Sequence, residues 1–377
     1  MKITKIETFV HWIEWCNWLF VKVSTDEGVH GWGEGSLHGA IRSVETAIHE
    51  LGAALIGEEP SGVERHWQRM YHAWRWRGGP TLMTAIGALD IALWDIEGKR
   101  LGVPVYRLLG GPYRERLRVY ASHWLAGAKS PEAARAGARK AVELGFRGFK
   151  WSPFDAELLR RDETQAIARA AELMAAAREG AGEATDIYVE CSERLSPRTA
   201  ILAAESFAPS RPSWFEEPIP FENHAEMCRL QQRLRVPIAT GERLLSRWEV
   251  RTLLEGGGCG ILQPDVMHAG GITECKRIAA MADTFYVPIA PHNPGGPICN
   301  LAAMHLAAAI PNFHVLEEME DERALRDRIC TNPVVYNEGM FELPQAPGLG
   351  TDLNLDALAS RPFRAQPISD RSESLWH

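Results

Sequence analysis

Three short apolar runs, Ile187-Tyr188-Val189, Trp214-Phe215 and Val236-Pro237-Ile238-Ala239, are each followed at once or within three residues by a glutamate. The glutamates are Glu190, Glu216 and Glu242, at equal intervals of 26 residues. One strand, one helix and two short loops take about that length, so the spacing predicts consecutive βα units that each deliver one acid to the same end of a parallel sheet. Three converging oxygen ligands suit a hard divalent cation, and Mg²⁺ is the expected ion. A single acid at a strand end would read as a solvated loop residue; three at one interval favour a metal site.

The remainder of the chain fits that frame. Its 377 residues exceed what one compact layer organises, so two domains or a barrel with an appendage are expected. A formal net charge of −8, with no block of Lys or Arg, gives no electrostatic reason to bind nucleic acid or an anionic membrane. Seven scattered cysteines with no Cys-x-x-Cys pair argue for reduced thiols in a cytoplasm. The amino terminus runs straight into the alternating strand Lys2-Ile3-Thr4-Lys5-Ile6, and no apolar run approaches the ~18 residues of a membrane span, so neither export nor membrane insertion is expected.

In chain order, residues 1–35 read as a strand meander and Ile41–Ile56 and Leu82–Leu101 as helices, which makes residues 1–115 an α+β capping domain. Between the first two strands lie Trp12, Trp15 and Trp18, which suit either strand packing or a lid over a small ligand, with His38 and Trp76 as further lid residues. After Gly110-Gly111-Pro112 eight strands alternate with helical segments: Leu117–Ser122, Gly145–Lys150, Asp186–Glu190, Ser213–Glu217, Val236–Glu242, Cys259–Asp265, Tyr286–His292 and Phe313–Glu318. That alternation, without a Gly-rich dinucleotide fingerprint, predicts an α/β fold with a modified (β/α)₈ barrel over residues 116–340. Residues 341–377 are expected to return to the capping domain.

Barrel active sites sit at the carboxyl ends of the strands. Here those ends carry His123, Lys150, Glu190, Glu216, Glu242, Asp265, His292 and Glu318, all of them ionisable or metal-binding. Asp265 beside His292 would fix the imidazole tautomer and raise its basicity, as acid/base catalysis requires; a purely structural Asp–His bond is the alternative.

The segments Gly78-Gly79-Pro80, Ala92-Leu93-Trp94-Asp95-Ile96, Phe215-Glu216-Glu217-Pro218, Gly241-Glu242-Arg243, Ile261-Leu262-Gln263-Pro264-Asp265, His268-Ala269-Gly270-Gly271-Ile272 and Ala290-Pro291-His292 resemble the enolase superfamily. More narrowly they resemble its mandelate racemase subgroup and the acid-sugar dehydratases within it. The resemblance covers nearly the whole chain. It implies a capped, modified barrel, Mg²⁺ held by Glu190, Glu216 and Glu242, an acid/base pair of Asp265 and His292, Glu318 hydrogen-bonded to an enediolate, and Lys150 at the end of the second strand. It also implies a homo-oligomer and a small sugar acid as substrate. His123, Trp15, Glu217 and His38 are the candidate substrate-binding residues.

Two positions depart from the pattern. Galactonate dehydratase-like proteins carry Asp-x-His at the end of the third strand, where this chain has Glu190-Cys191-Ser192, and racemase-like relatives carry a second lysine where this chain has Ser152. Serine has no useful pKa for deprotonating carbon near neutral pH. His292 alone could take an α-proton and return it to a β-hydroxyl on the same face, so the expected reaction is dehydration of a sugar acid. The alternatives are an epimerase or cycloisomerase of an acid sugar or lactone, with Lys150 acting on the other face, and a non-catalytic metal-binding relative.

Overall fold

The computed structural model describes residues 1–366. Strands β1 (Ile3–Trp12), β2 (Asn17–Thr25) and β3 (His30–Glu34) form an antiparallel meander. One face lies on the helix Pro80–Leu101, which opens with proline in its first turn and closes at Gly102 with φ 70°. The approach is close enough to require glycine in β3: a Cβ on Gly33 would lie 1.8 Å from the Ala88 carbonyl oxygen, and one on Gly31 2.1 Å from that of Ala92.

The barrel begins at Arg116. Its parallel strands are β4 (Arg116–Ala121), β5 (Gly148–Trp151), β6 (Asp186–Glu190), β7 (Trp214–Glu216), β8 (Ile238–Thr240), β9 (Ile261–Leu262) and β10 (Leu316–Glu318), and β10 closes the ring by pairing with β4. The expected seventh strand, Tyr286–His292, is reduced to bridges: Ile289 pairs with Leu262 and Phe313, and His292 with Asp265. Pro288 and Pro291 lack the N–H groups that a continuous ladder needs. Outside the ring, β11 (Tyr336–Asn337) and β12 (Met340–Glu342) form a hairpin, and β12 pairs antiparallel with β4. The pairing strand therefore runs across the expected domain edge at 340/341. The hairpin turn is Glu338-Gly339, both at positive φ.

The helices alternate with the strands and cover the ring with small and aliphatic side chains, as in Pro297–Ala309, where twelve of the thirteen residues are buried. No helix among the described residues is long and apolar enough to cross a membrane. After the barrel the chain returns to the capping strands. Trp12 N–H donates to the Arg361 carbonyl at 2.9 Å, and Asn17 and Arg364 exchange side-chain and backbone bonds at 2.8 and 3.0 Å. Residues 367–377 of the expected returning segment lie outside the described residues.

Candidate active site at the mouth of the barrel

Alternation along the strands sorts the lumen into two layers. Tyr120, Tyr188, Trp214, Ala239, Ile261, Ala290 and Val315 pack together as an apolar floor. The Tyr188 and Trp214 rings stack with centroids 3.6 Å apart, and Tyr120 meets both edge-on. Two residues further along the same strands come Ser122, Glu190, Glu216, Gln263, His292 and Glu317, and Lys150 of β5 stands among them.

Lys150 is buried at the centre of this layer. Its ammonium bonds Glu216, lies 2.9 Å from Glu317 Oε1 and 3.5 Å from Glu190 Oε2. Burial alone would lower its pKa, but Glu216 and Glu317, followed by Tyr120 and Glu190, hold it well above the ordinary lysine value. Lys150 is therefore an ammonium here and supplies charge, not a proton acceptor.

Glu190 and Glu216 are register partners on adjacent strands. Burial raises the Glu216 carboxyl well above the usual range, and the charges of Glu190, Glu317 and Glu242 add to the effect against Lys150. In Glu190 burial is the largest influence, but Lys150 together with hydrogen bonds from Glu216 and the Ser192 N–H outweighs it, and the group is held low. Glu242 stands at the rim with Oε2 3.4 Å from His292 Nε2. The Gln263 amide donates to Glu216 Oε2 at 2.8 Å, while its own buried Oε1 has no partner. Three carboxylates around one lysine, a fourth at the rim and an unsatisfied acceptor beside them fit a hydrated divalent cation. As placed, Lys150, Trp214 and Gln263 occupy the Glu216 oxygens, and among the described residues no three acidic, His or Cys side chains are disposed to ligate an ion. A cation would replace Lys150 on Glu216.

On the opposite wall His292 Nδ1 lies 2.7 Å from Asp265 Oδ2, and Asp265 Oδ1 accepts from the N–H groups of Met267 and His268. Burial disfavours a charged His292 ring, but Glu242, the bond to Asp265 and Glu317 raise its pKa to about 10. His268 lies on the other side of Asp265, its Nε2 3.9 Å from Asp265 Oδ2 and its Nδ1 2.9 Å from Thr84 Oγ1.

Three expected positions differ in the structure. Glu318 does not face the lumen: its oxygens meet Arg323 and Arg326 at 3.2 Å behind the strand. The lumen group is Glu317, which accepts from Ser122 Oγ at 2.5 Å and from Asn293 N–H at 2.8 Å. The alternation starting from Val315 was the signal that points to it. Glu217, expected at the substrate, is tied to Thr240, the Gly241 N–H and Arg243, so neither oxygen is free to take a ligand, and burial with Glu242 nearby pushes its pKa up to about 8. The aromatic loop divides: Trp18 is fully buried packing, Trp76 is exposed, and Trp15 rests edge-on against His38 at 4.7 Å. Trp15 Nε1 donates to Glu322 Oε1 at 2.8 Å, which docks the capping loop beside the end of β10. His123 lies two residues past β4 and is exposed. Ser122, Gln263 and Asn293 are site residues that end-of-strand reading passes over, because they are neutral.

Comparisons with known proteins give the family to which this fold belongs. Residues 133–357 match the family model described as enolase C-terminal domain-like, and residues 4–110 match that of the mandelate racemase / muconate lactonizing enzyme N-terminal domain. A D-galactonate dehydratase of Ralstonia pickettii (strain 12J) is 40% identical over 382 residues, spanning 100% of this chain and 97% of that protein. One from Pectobacterium atrosepticum is 38% identical over 367 residues, spanning 96% and 94%. Among solved structures, an enolase from Agrobacterium radiobacter with bound Na and L-malate superposes with a TM-score of 0.90 at 29% identity, covering 99% of this chain and 98% of that one. A member of the enolase superfamily from Salmonella Typhimurium gives 0.89 at 30% identity, covering 96% and 98%. The chain belongs to the enolase superfamily, in its mandelate racemase subgroup. Within that class it is a carbon–oxygen lyase of the hydro-lyase kind.

Proposed function

We propose that this protein dehydrates a small sugar acid to a 2-keto-3-deoxy acid in a Mg²⁺-dependent reaction. The observation that carries the reading is the single upper layer in which Lys150, Glu190, Glu216 and Glu317 meet the Asp265–His292 pair across the lumen. The curated relatives named D-galactonate dehydratase supply the substrate class. Glu190, Glu216 and Glu242 would hold the ion, which when bound offsets the negative charge that grows on the substrate carboxylate as the α-proton leaves.

The protein's own groups then have distinct tasks. Lys150, kept as an ammonium, supplies positive charge to the carboxylate end of the substrate. Glu317, held ionised against the cost of burial by Lys150, His292 and the bonds from Ser122 and Asn293, fixes the lysine in place. His292, oriented by Asp265, carries a proton on Nε2 toward the lumen and can pass it to the leaving hydroxyl. Trp15 and His38 stand where a capping loop would exclude water. A homo-oligomer working in the cytoplasm is part of the same reading.

The test is a screen of four- to six-carbon aldonates and aldarates, D-galactonate included, for 2-keto-3-deoxy product with and without Mg²⁺. Metal-dependent keto-acid formation from one of them is the expected result. Inversion at C2 or C3 without loss of water would instead indicate an epimerase, and binding without turnover a non-catalytic relative.

A further inference from the structure

We infer that His123 is the second acid/base residue of this site, its Nε2 accepting the substrate α-proton while His292 supplies the proton that leaves with the hydroxyl. This rests on the dehydratase reading above and divides its chemistry between two imidazoles.

The tautomer follows from the hydrogen bonds. Ser122 donates its only hydroxyl proton to Glu317 Oε1 at 2.5 Å, since a carboxylate already accepting from Lys150 and the Asn293 N–H has none to give. The Ser122 oxygen, 3.2 Å from His123 Nδ1, can therefore only accept, which places the imidazole proton on Nδ1. Nε2 is left with its lone pair and, among the described residues, with no protein partner. The ring is walled by protein on most sides yet reaches solvent through the mouth, where a ligand would enter.

His123 sits at φ 52°, in the left-handed region that His, Asn and Asp enter more often than other non-glycine residues. The charged groups facing the ring are Lys150, Glu317, Glu190 and His292. Burial first, then the Lys150 ammonium, lowers its pKa against Glu317 and Glu190, so the ring is a neutral proton acceptor at working pH. Ser192, two residues past β6, spends its N–H and hydroxyl on Glu190 Oε1 at 2.7 and 3.2 Å, and Lys150 is enclosed by Glu216, Glu317 and Glu190.

The step balances without a co-reactant. The Cα–H bond breaks as His123 Nε2 takes the proton, and the bonding pair moves into the substrate carboxylate. That pair returns to form the Cα=Cβ bond as the Cβ–O bond breaks, and the departing oxygen takes the proton from His292 Nε2 and leaves as water. The enol product tautomerises to the keto acid. His123 releases its proton to solvent and His292 regains one from it.

The experiment follows wild type and His123→Asn by NMR in D₂O with Mg²⁺ and the acid sugars of the screen, reading α-proton exchange and water loss separately. Asn tolerates left-handed φ and can keep a bond to Ser122, so the variant should fold. We expect kcat to fall by about 10²–10³-fold, as for loss of a general base. Mg²⁺ binding by calorimetry should stay within threefold, the acidic limb of the pH–rate profile should disappear, and added imidazole should restore part of the rate. Retention of kcat within threefold, or α-proton exchange at the wild-type rate, overturns the assignment. So does a loss of rate with the acidic limb unchanged and no imidazole rescue, which would mark His123 as positioning only. A wild type that exchanges the α-proton but never loses water overturns the dehydratase reading alone, and the exchange rate of the variant still decides the role of His123. A wild type that does neither with any acid sugar overturns both.

Discussion

Glu317 and Glu318 are adjacent in sequence and leave β10 on opposite faces: Glu317 bonds Lys150 at 2.9 Å in the lumen, and Glu318 meets Arg326 at 3.2 Å behind it. Their isosteric variants should fail in different ways. Glu317→Gln should lower kcat by about 10²-fold and cost less stability than Glu318→Gln, because Lys150 loses one anchor at the substrate carboxylate but keeps Glu216 and Glu190 as partners. Glu318→Gln removes the charge facing a buried Arg326 and should cost about 3 kcal/mol of stability. Urea unfolding and steady-state kinetics on both variants check the assignment; an inactive but stable Glu318→Gln would reverse it.

Mg²⁺ binding should depend on Glu216. Glu216→Gln is expected to abolish the calorimetric Mg²⁺ signal and metal-dependent turnover while leaving the far-ultraviolet circular dichroism spectrum intact, since Gln can keep the bonds to Trp214 and Gln263. Wild-type Mg²⁺ affinity in this variant would exclude Glu216 as a ligand.

His292→Asn should eliminate turnover and leave the metal signal unchanged, because the 2.7 Å bond to Asp265 orients a proton carrier and not a ligand. Lys150→Met should raise KM and slow the reaction less severely. If Lys150→Met instead stops α-proton exchange while His292→Asn does not, the lysine is the base and opposite-face chemistry gains support.

Acid should destabilise the fold through His305. Burial lowers its pKa to about 4; its Nδ1 accepts from Tyr106 N–H at 3.1 Å and its Nε2–H donates to the Leu349 carbonyl at 3.2 Å. Above the unfolded value of 6.5 both states are neutral and the histidine adds no pH dependence. Between 6.5 and 4 the unfolded chain binds a proton that the folded chain refuses, so stability falls with pH by about 1.4 kcal/mol per unit. From pH 7 to pH 5, His305→Gln should lose about 2 kcal/mol less than wild type in urea titrations. Equal losses in the two proteins would assign the acid sensitivity elsewhere.

The sequence made the barrel and its reactive end legible because both rest on periodic signals. Glu190, Glu216 and Glu242 repeat at one interval, and Asp265 and His292 close consecutive units. What stayed hidden depends on which face a terminal residue takes. Glu318 looked like the strand's last acid, but two-residue alternation from Val315 selects Glu317. Glu217 is a carboxylate beside a site residue, yet the bend at φ 43° turns it toward Thr240 and Arg243. The β11–β12 hairpin was missed because strands of two and three residues carry too few side chains for a period to show. Trp18 and Trp15 differ only in depth, which packing decides.

The stacked rings of Tyr188 and Trp214 fix how far anything can sink into the barrel. Together with Tyr120 they plug the tube one layer below Lys150, so a ligand's acidic head stops at a set height and its remaining carbons must extend upward toward Trp15 and His38. The plug works as a depth stop. Chain length beyond the reacting carbons is thus measured against the capping loop rather than against the barrel, and exchanging residues in that loop should change which acid fits without disturbing the groups that act on it.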